Sequence, residues 1–215
     1  MRTSEATFDP SKSKAGWRPI DDGNLYPAHI CALNERPVTV RGNQATVFEL
    51  EYEIADEAKE LTQLVWEMDG YNYATDNEGH RVPVHNERGQ QTITDCKHIV
   101  GKRFRGKGVF LFDSGSESGR NKGYFDWLTN LGIETESVDK DGTLTYKLEI
   151  PETEDVIGKP YLVRLMQEHF VTKDTRELPK HQQEVRSVWK VKDSQFWAEG
   201  QPKSSDELEA DDIPF

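Results

Sequence analysis

Thr46-Val47-Phe48-Glu49-Leu50-Glu51-Tyr52-Glu53-Ile54 is the stretch on which the fold turns. Side chains of a strand point alternately to its two faces. Phe48, Leu50, Tyr52 and Ile54 therefore share one face and Glu49, Glu51 and Glu53 the other, the pattern of a strand with one side on a core and one in water. Before it, Leu25 to Leu33 follows an Asp22-Gly23 turn signal and alternates Ala28, Ile30 and Ala32 with Pro27, His29 and Cys31. Pro27 points to the beginning of an edge strand. After it, Thr92 to Val100 and Gly106 to Phe112 read as strands, and the run Val109-Phe110-Leu111-Phe112 suits one buried on both faces. Thr143 to Ile150, Tyr161 to Val171 and Gln183 to Val191 add three more, the last two as a long hairpin across Thr172 to Gln182.

Two segments read as helical. Asn121 can cap a helix whose Tyr124, Phe125, Leu128 and Leu131 share a face, with Gly132 supplying the left-handed residue that ends it. Leu61, Leu64, Val65 and Met68 form a stripe that predicts a short helix within Ala55 to Met68. From Asp69 to Gln91 the chain is rich in Gly, Asn and Asp, which reads as a long loop or an irregular hairpin. Six or seven strands with a helix after the third or fourth predict a mainly β fold, an OB-like Greek-key barrel with one or two helices. An all-β sandwich gives a similar tally. The expected organisation is a flexible arm over residues 1–18, one domain over 19–197 and a disordered acidic tail over 198–215.

Mean hydropathy is -0.80 and no run approaches the roughly 20 apolar residues of a membrane span. The start, Met1 to Trp17, carries no apolar segment resembling a signal peptide, so the expected location is cytoplasmic. Cys31 and Cys96 lack C-x-x-C spacing and read as reduced thiols. The formal charge of -12 argues at first against a polyanionic partner. Its distribution is uneven: between Lys97 and Gly123 the bases Lys97, Lys102, Arg103, Arg105, Lys107, Arg120 and Lys122 outnumber the acids Asp113 and Glu117. Phe104 lies inside that cluster, and Trp66, Tyr71 and Tyr73 stand in a polar stretch. Cations that track a backbone and flat rings that stack on bases are what a single-strand binder needs. Charged loops that keep strands soluble, and aromatic core anchors, account for the same residues without a ligand. Trp127, Trp189 and Trp197 are assigned to packing.

His80, His85, Cys96 and His98 have the chemistry of zinc ligands but match no ligand spacing, so no metal is assigned. No nucleophile elbow, P-loop, H-E-x-x-H or paired carboxylates on a regular element are present, so no catalytic residue or cofactor is expected. Asp113, Glu117 and Asp126 read as caps and solvated charges.

The chain closes on Asp211-Asp212-Ile213-Pro214-Phe215 after an acidic, Pro- and Ser-containing approach. These residues resemble the C-terminal tip of bacterial single-stranded DNA-binding proteins, where acids followed by Ile-Pro-Phe dock onto replication and repair enzymes. The long body and short linker are more similar to bacteriophage single-stranded DNA-binding proteins, with a divergent OB body and an acidic tail ending in Phe. Pro19 to Tyr26 loosely resembles the opening strand of such phage proteins. The resemblance implies sequence-tolerant binding of single-stranded DNA in replication, recombination and repair, in the host cytoplasm if the protein is phage-encoded, with partners recruited through Asp211 to Phe215. It carries over no subunit count, because the body departs from the bacterial tetramer. The rival reading is an acidic interaction adaptor that binds no DNA. If the tail acids lie in the basic groove, they compete with DNA, and a chain lacking Glu207 to Phe215 binds DNA more tightly at low salt.

Overall fold

A computed structural model of the chain describes residues 20–69, 72–113, 121–133, 137–140, 143–146 and 150–203. The alternation of Thr46 to Ile54 is realised in β2 (Asn43–Ile54), where Phe48, Leu50, Tyr52 and Ile54 are buried. β1 (Leu25–Val40) leads into it through Arg41 and Gly42, both at positive φ (50° and 83°), a two-residue turn whose twist suits a hairpin. β1 also pairs with β11 (Pro160–Val171), which pairs with β12 (Val185–Phe196). The free edge of β2 is shared by β7 (Arg103–Arg105) and β8 (Val109–Phe112).

All these pairings are antiparallel, and the fold is mainly β. Taking β7 and β8 as one interrupted strand, the order β11-β1-β2-β7/β8 is fourth-first-second-third, a Greek key, with β12 outside the fourth. This is the arrangement expected of an OB-like body. The sheet curls so that its ends approach: the Tyr52 hydroxyl of β2 lies 3.0 Å from Ser194 Oγ of β12. Among the described residues no backbone ladder joins β12 to β7 or β8.

The concave side is covered by α1 (Lys122–Leu131), whose Tyr124, Trp127, Leu128 and Leu131 are buried. Tyr124 and Trp127 pack on Phe48 with ring centroids 5.5 and 5.6 Å apart. Gly132, at φ 77°, ends the helix, its N–H donating to the carbonyls of Leu128 and Thr129. Asn121 precedes the helix but does not cap it: its side chain binds the backbone N–H and C=O of Phe112 at 2.8 and 3.1 Å. That ties the helix start to β8.

Four expectations are corrected. β1 is central, between β11 and β2; Pro27 is tolerated because its pairing is with Leu162 alone, the β2 ladder beginning at Ala28. The helix expected within Ala55 to Met68 is a 3-10 turn (Asp56–Glu60) followed by β3 (Thr62–Leu64). Beyond Leu61, which packs against the core, it is Gln63 that is buried there, accepting from the Tyr26 hydroxyl at 2.8 Å and the Asp21 N–H at 2.9 Å. The strand expected from Thr92 to Val100 shrinks to β6 (Ile93–Asp95), paired with β3, before a 3-10 turn (Lys97–Ile99). And β8 is not buried on both sides, since Phe110 is 39% exposed while Leu111 is buried.

Between β3 and β6 the Gly- and Asn-rich stretch is compact. β4 (Met68–Asp69) pairs with β5 (Asn72–Tyr73), and two further hairpins follow, built by the same device ten residues apart. Asp76 Oδ1 accepts from the N–H groups of Glu78 and His80, and Asn86 Oδ1 from those of Arg88 and Gln90. Gly79 and Gly89 supply the positive φ, 85° and 73°. The insert is fastened to the body by Arg81, which pairs with Asp22 and lies over the Tyr73 ring at 4.1 Å and the Trp66 ring at 5.9 Å. Arg81→Ala removes a half-buried ion pair and a cation–π contact together, an expected loss of about 2 kcal/mol. Hydrogen exchange checks it: the Val82 and Val84 amides, bonded to Ala74 and Val65, lose protection first while the β1–β2 ladder keeps its own. The remaining elements, β9 (Ser137–Lys140) with β10 (Thr143–Tyr146) and the short α2 (Thr153–Val156), complete the fold. No helix among the described residues is long and apolar enough to cross a membrane.

Candidate nucleic-acid interface

Residues opposed across an antiparallel ladder project to the same side. Glu53 opposes Arg103, Glu51 opposes Arg105, Val47 opposes Phe110 and Ala45 opposes Phe112. Arg103, Arg105, Phe110 and Phe112 therefore stand on the outer face of β2, the face of its glutamates. From Ala45 to Glu53 this face runs about 27 Å at roughly 3.4 Å per residue.

One end is aromatic. The rings of Phe110 and Phe112 are stacked, with centroids 6.3 Å apart and planes 25° from parallel. Arg36 follows from β1, holding Glu49 Oε1 through Nε at 2.9 Å and Nη2 at 2.6 Å. That bond raises the guanidinium pKa and keeps the Glu49 carboxyl below its ordinary range. Arg105 Nε donates to Glu51 Oε1 at 2.9 Å, yet its side chain is 86% exposed. Arg103 Nε donates to Glu53 Oε2 at 3.2 Å, and Lys203 reaches the other oxygen of the same carboxylate.

Two depressions run together across this face. A groove of about 180 Å³ is lined by Asn34, Glu49, Glu51, Arg105, Gly106 and Gly108. A cleft of about 440 Å³ lies between the sheet ends, lined by Glu51, Arg103, Arg105, Val188, Trp189 and Lys190. Glu51 and Arg105 belong to both, so the surface is continuous from Asn34 and Gly108 to Trp189. The link between β7 and β8 lies flat on β2 because it is glycine: a Cβ at Gly106 would sit 2.5 Å from the Tyr52 ring and one at Gly108 2.3 Å from Val47 Cγ2.

The residues expected to bind DNA are only partly brought together. Arg103 and Arg105 share the outer face. Phe104 does not: strand alternation turns it inward opposite Tyr52, 7% exposed in the core, so it offers no ring to a ligand. Lys97 and Lys102 are exposed beside the 3-10 turn that precedes β7. Lys107 is exposed on the β7–β8 link, and Lys122 on α1 is paired with Asp126. Trp66 and Tyr73 are half-buried on the insert, engaged with Arg81, and the Tyr73 hydroxyl donates to the Ile20 carbonyl at 3.2 Å. Burial, with Asp22 adding, pushes that phenol up to about 12. Those rings serve to fasten the insert. Arg120, Tyr71 and the tip Asp211, Asp212, Ile213, Pro214 and Phe215 lie outside the described residues.

Phe110, Phe112, Arg36, Trp189 and Lys190 were not expected at this surface. A period of two in Val109 to Phe112 puts Phe110 and Phe112 on one face, but with four apolar residues in a row it does not say which face is open. Cys31 and Cys96 are free thiols, both pushed up to about 11 by burial. Among the described residues no three His, Cys, Asp or Glu side chains are grouped to hold a metal, so His80, His85, Cys96 and His98 are not gathered into a site.

No protein-family model matches the chain, and neither a curated protein nor a solved structure is significantly similar to it. The chemistry of the face must carry the assignment. Guanidinium groups and stacked rings along one sheet face can take a chain of phosphates and bases, and neither group discriminates base identity. The glutamates of β2 temper that attraction: a phosphate must compete with a carboxylate for each arginine.

Proposed function

We propose that the outer face of β2, β7 and β8, continued by Trp189 and Lys190 of β12, binds single-stranded DNA without sequence preference. The protein is then a non-catalytic DNA-binding protein of replication, recombination and repair. The observation that carries this reading is the coincidence on one outward face of Arg36, Arg103 and Arg105 with the stacked Phe110–Phe112 pair. The second- and third-strand face is also where OB-type barrels take oligonucleotides, a fold-level analogy that supports the reading. The acidic segment with its Ile213-Pro214-Phe215 tip follows Lys203, which pairs with Glu53 at the end of this face. It is proposed to recruit partner enzymes, Phe215 filling an apolar pocket while Asp211 and Asp212 meet a basic rim.

Titration of the full chain with oligo-dT tests the reading. Expected are quenching of tryptophan fluorescence by stacking on Trp189 and an affinity that falls with salt. Three arginines engaging phosphates give a log–log slope of about -2 at roughly 0.7 per phosphate on a single strand. The adaptor reading has its own support, since each of these arginines already holds a carboxylate. It requires no quenching and a flat salt response in the same titration.

A further inference from the structure

On the other side of the β7–β8 link lies a second cleft, of about 360 Å³, between α1, β2 and the end of β12. Its walls include the rings of Tyr52, Trp127, Tyr161 and Phe196, with Tyr161 edge-on to Tyr52 at 5.6 Å and to Phe196 at 5.8 Å. Its polar rim carries Lys107, Asp126, Asn130, Asp193 and Ser194. Of the two rim acids, Asp126 is paired with Lys122 and Asp193 with Arg164. Lys107 has no ionic partner among the described residues, so the mouth presents one uncompensated cation above an aromatic interior. Within, the Trp127 indole N–H and the Tyr161 hydroxyl are buried against each other, their mutual contact falling outside normal hydrogen-bond geometry and no other partner reaching either. Buried polar groups of this kind favour an occupant that brings acceptors.

We infer that this cleft binds one nucleotide, its base held among the aromatic rings and its phosphate at Lys107. A flat ring edged with carbonyl and ring-nitrogen acceptors suits the walls and the donor pair, and Asn130, with Ser194 beside the Tyr52 hydroxyl, can answer amino or carbonyl groups at the mouth. The volume lies within the usual range of ligand clefts, about 300 to 1,000 Å³. The neighbouring groove fits the same ligand: Gly108 lines both depressions, so a strand on the outer face that passes over Lys107 delivers its last base into the cleft. The inference extends the single-strand reading, but a free mononucleotide satisfies the same chemistry.

The test uses the full chain and two probes, dTMP and oligo-dT, with the Trp127 indole N–H resonance, identified by Trp127→Phe, as the reporter of the cleft. Two surface variants keep the fold intact. Lys107→Ala removes the cation and is expected to weaken dTMP binding about tenfold. Gly123→Leu places a side chain in the mouth, where a Cβ meets nothing within 4 Å, and is expected to abolish the Trp127 shift. A Trp127 shift with dTMP that both variants suppress establishes the nucleotide site. A shift with oligo-dT alone, lost in Gly123→Leu, assigns the cleft to a base of the bound strand. If oligo-dT binds while neither probe moves Trp127, the cleft inference is overturned and the single-strand reading stands. If dTMP moves Trp127 while oligo-dT does not bind, the cleft stands and the single-strand reading falls. If neither probe binds, both fall.

Discussion

Arg105→Glu lowers the affinity for oligo-dT by about 30-fold near 50 mM salt and flattens the salt slope by roughly 0.7, the share of one phosphate. The magnitude follows from two effects of the same sign. A guanidinium in the middle of the interface is lost, and a carboxylate is set beside Glu51 where the DNA backbone must run. Fold stability is expected to change by about 0.5 kcal/mol or less, because the Arg105 side chain is 86% exposed. Glu51→Gln moves affinity the other way. Glu51 is the carboxylate that Arg105 holds, and its neutralisation frees the guanidinium for phosphate and removes a repulsive charge from both depressions. Opposite signs from two residues 2.9 Å apart are hard to obtain from misfolding. Anisotropy titrations at three salt concentrations read both; equal affinities for wild type, Arg105→Glu and Glu51→Gln would remove this face from the account.

Phe48→Ala has the largest expected effect on stability, a loss of about 3 to 5 kcal/mol. The ring is fully buried and is the point at which α1 is held to the sheet, through Tyr124 and Trp127. Its removal leaves a cavity that neither the helix nor the strand can close, so the urea midpoint falls without a change in DNA contacts. Phe110→Ala is the control from the opposite face. At 39% exposure it contributes little to the core, and its loss is expected to show in oligo-dT affinity, about 1 to 3 kcal/mol for a stacking platform. Urea unfolding and DNA titration of the two variants separate a ring that builds the fold from one that offers itself to a ligand.

Why these two phenylalanines differ was legible in one case and not in the other. Around Phe48 the glutamates fix the polarity of the strand, because three charges cannot be buried on the same side. Around Phe110 all four residues are apolar, so alternation alone cannot say which face is open; that depends on β8 being the outermost partner of β2 on a sheet that curls away from it. Phe104 was misleading for a related reason. Its flanking arginines mark the outer face, and by the same alternation the residue between them must be inside. Proximity in sequence to charge is not proximity in space on a strand.

The mainly β content and the helix ended by Gly132 were accessible from alternation and turn residues, but the tally of strands alone did not separate a Greek-key barrel from a sandwich; the strand order is set by which edges meet. The irregular hairpin reading of the insert was also accessible, from local Asn, Asp and Gly turn residues. Its docking through Arg81 to Asp22 and the replacement of the expected helix by the 3-10 turn at Asp56–Glu60 and β3, where Gln63 reaches Tyr26, were not, since those contacts join residues dozens of positions apart. Trp189 and Lys190 joined the interface only through the approach of β12 to β7, which no local pattern announces.

Photo-crosslinking of the full chain to oligonucleotides carrying 4-thiothymidine, followed by mapping of the modified peptides, locates the bound strand without reference to any variant. Modification concentrated at Phe110, Phe112 and Trp189 is the expected result. Modification at Trp66 and Tyr73 with none on β8 or β12 would contradict the assignment of the outer face of β2 as the DNA-binding surface.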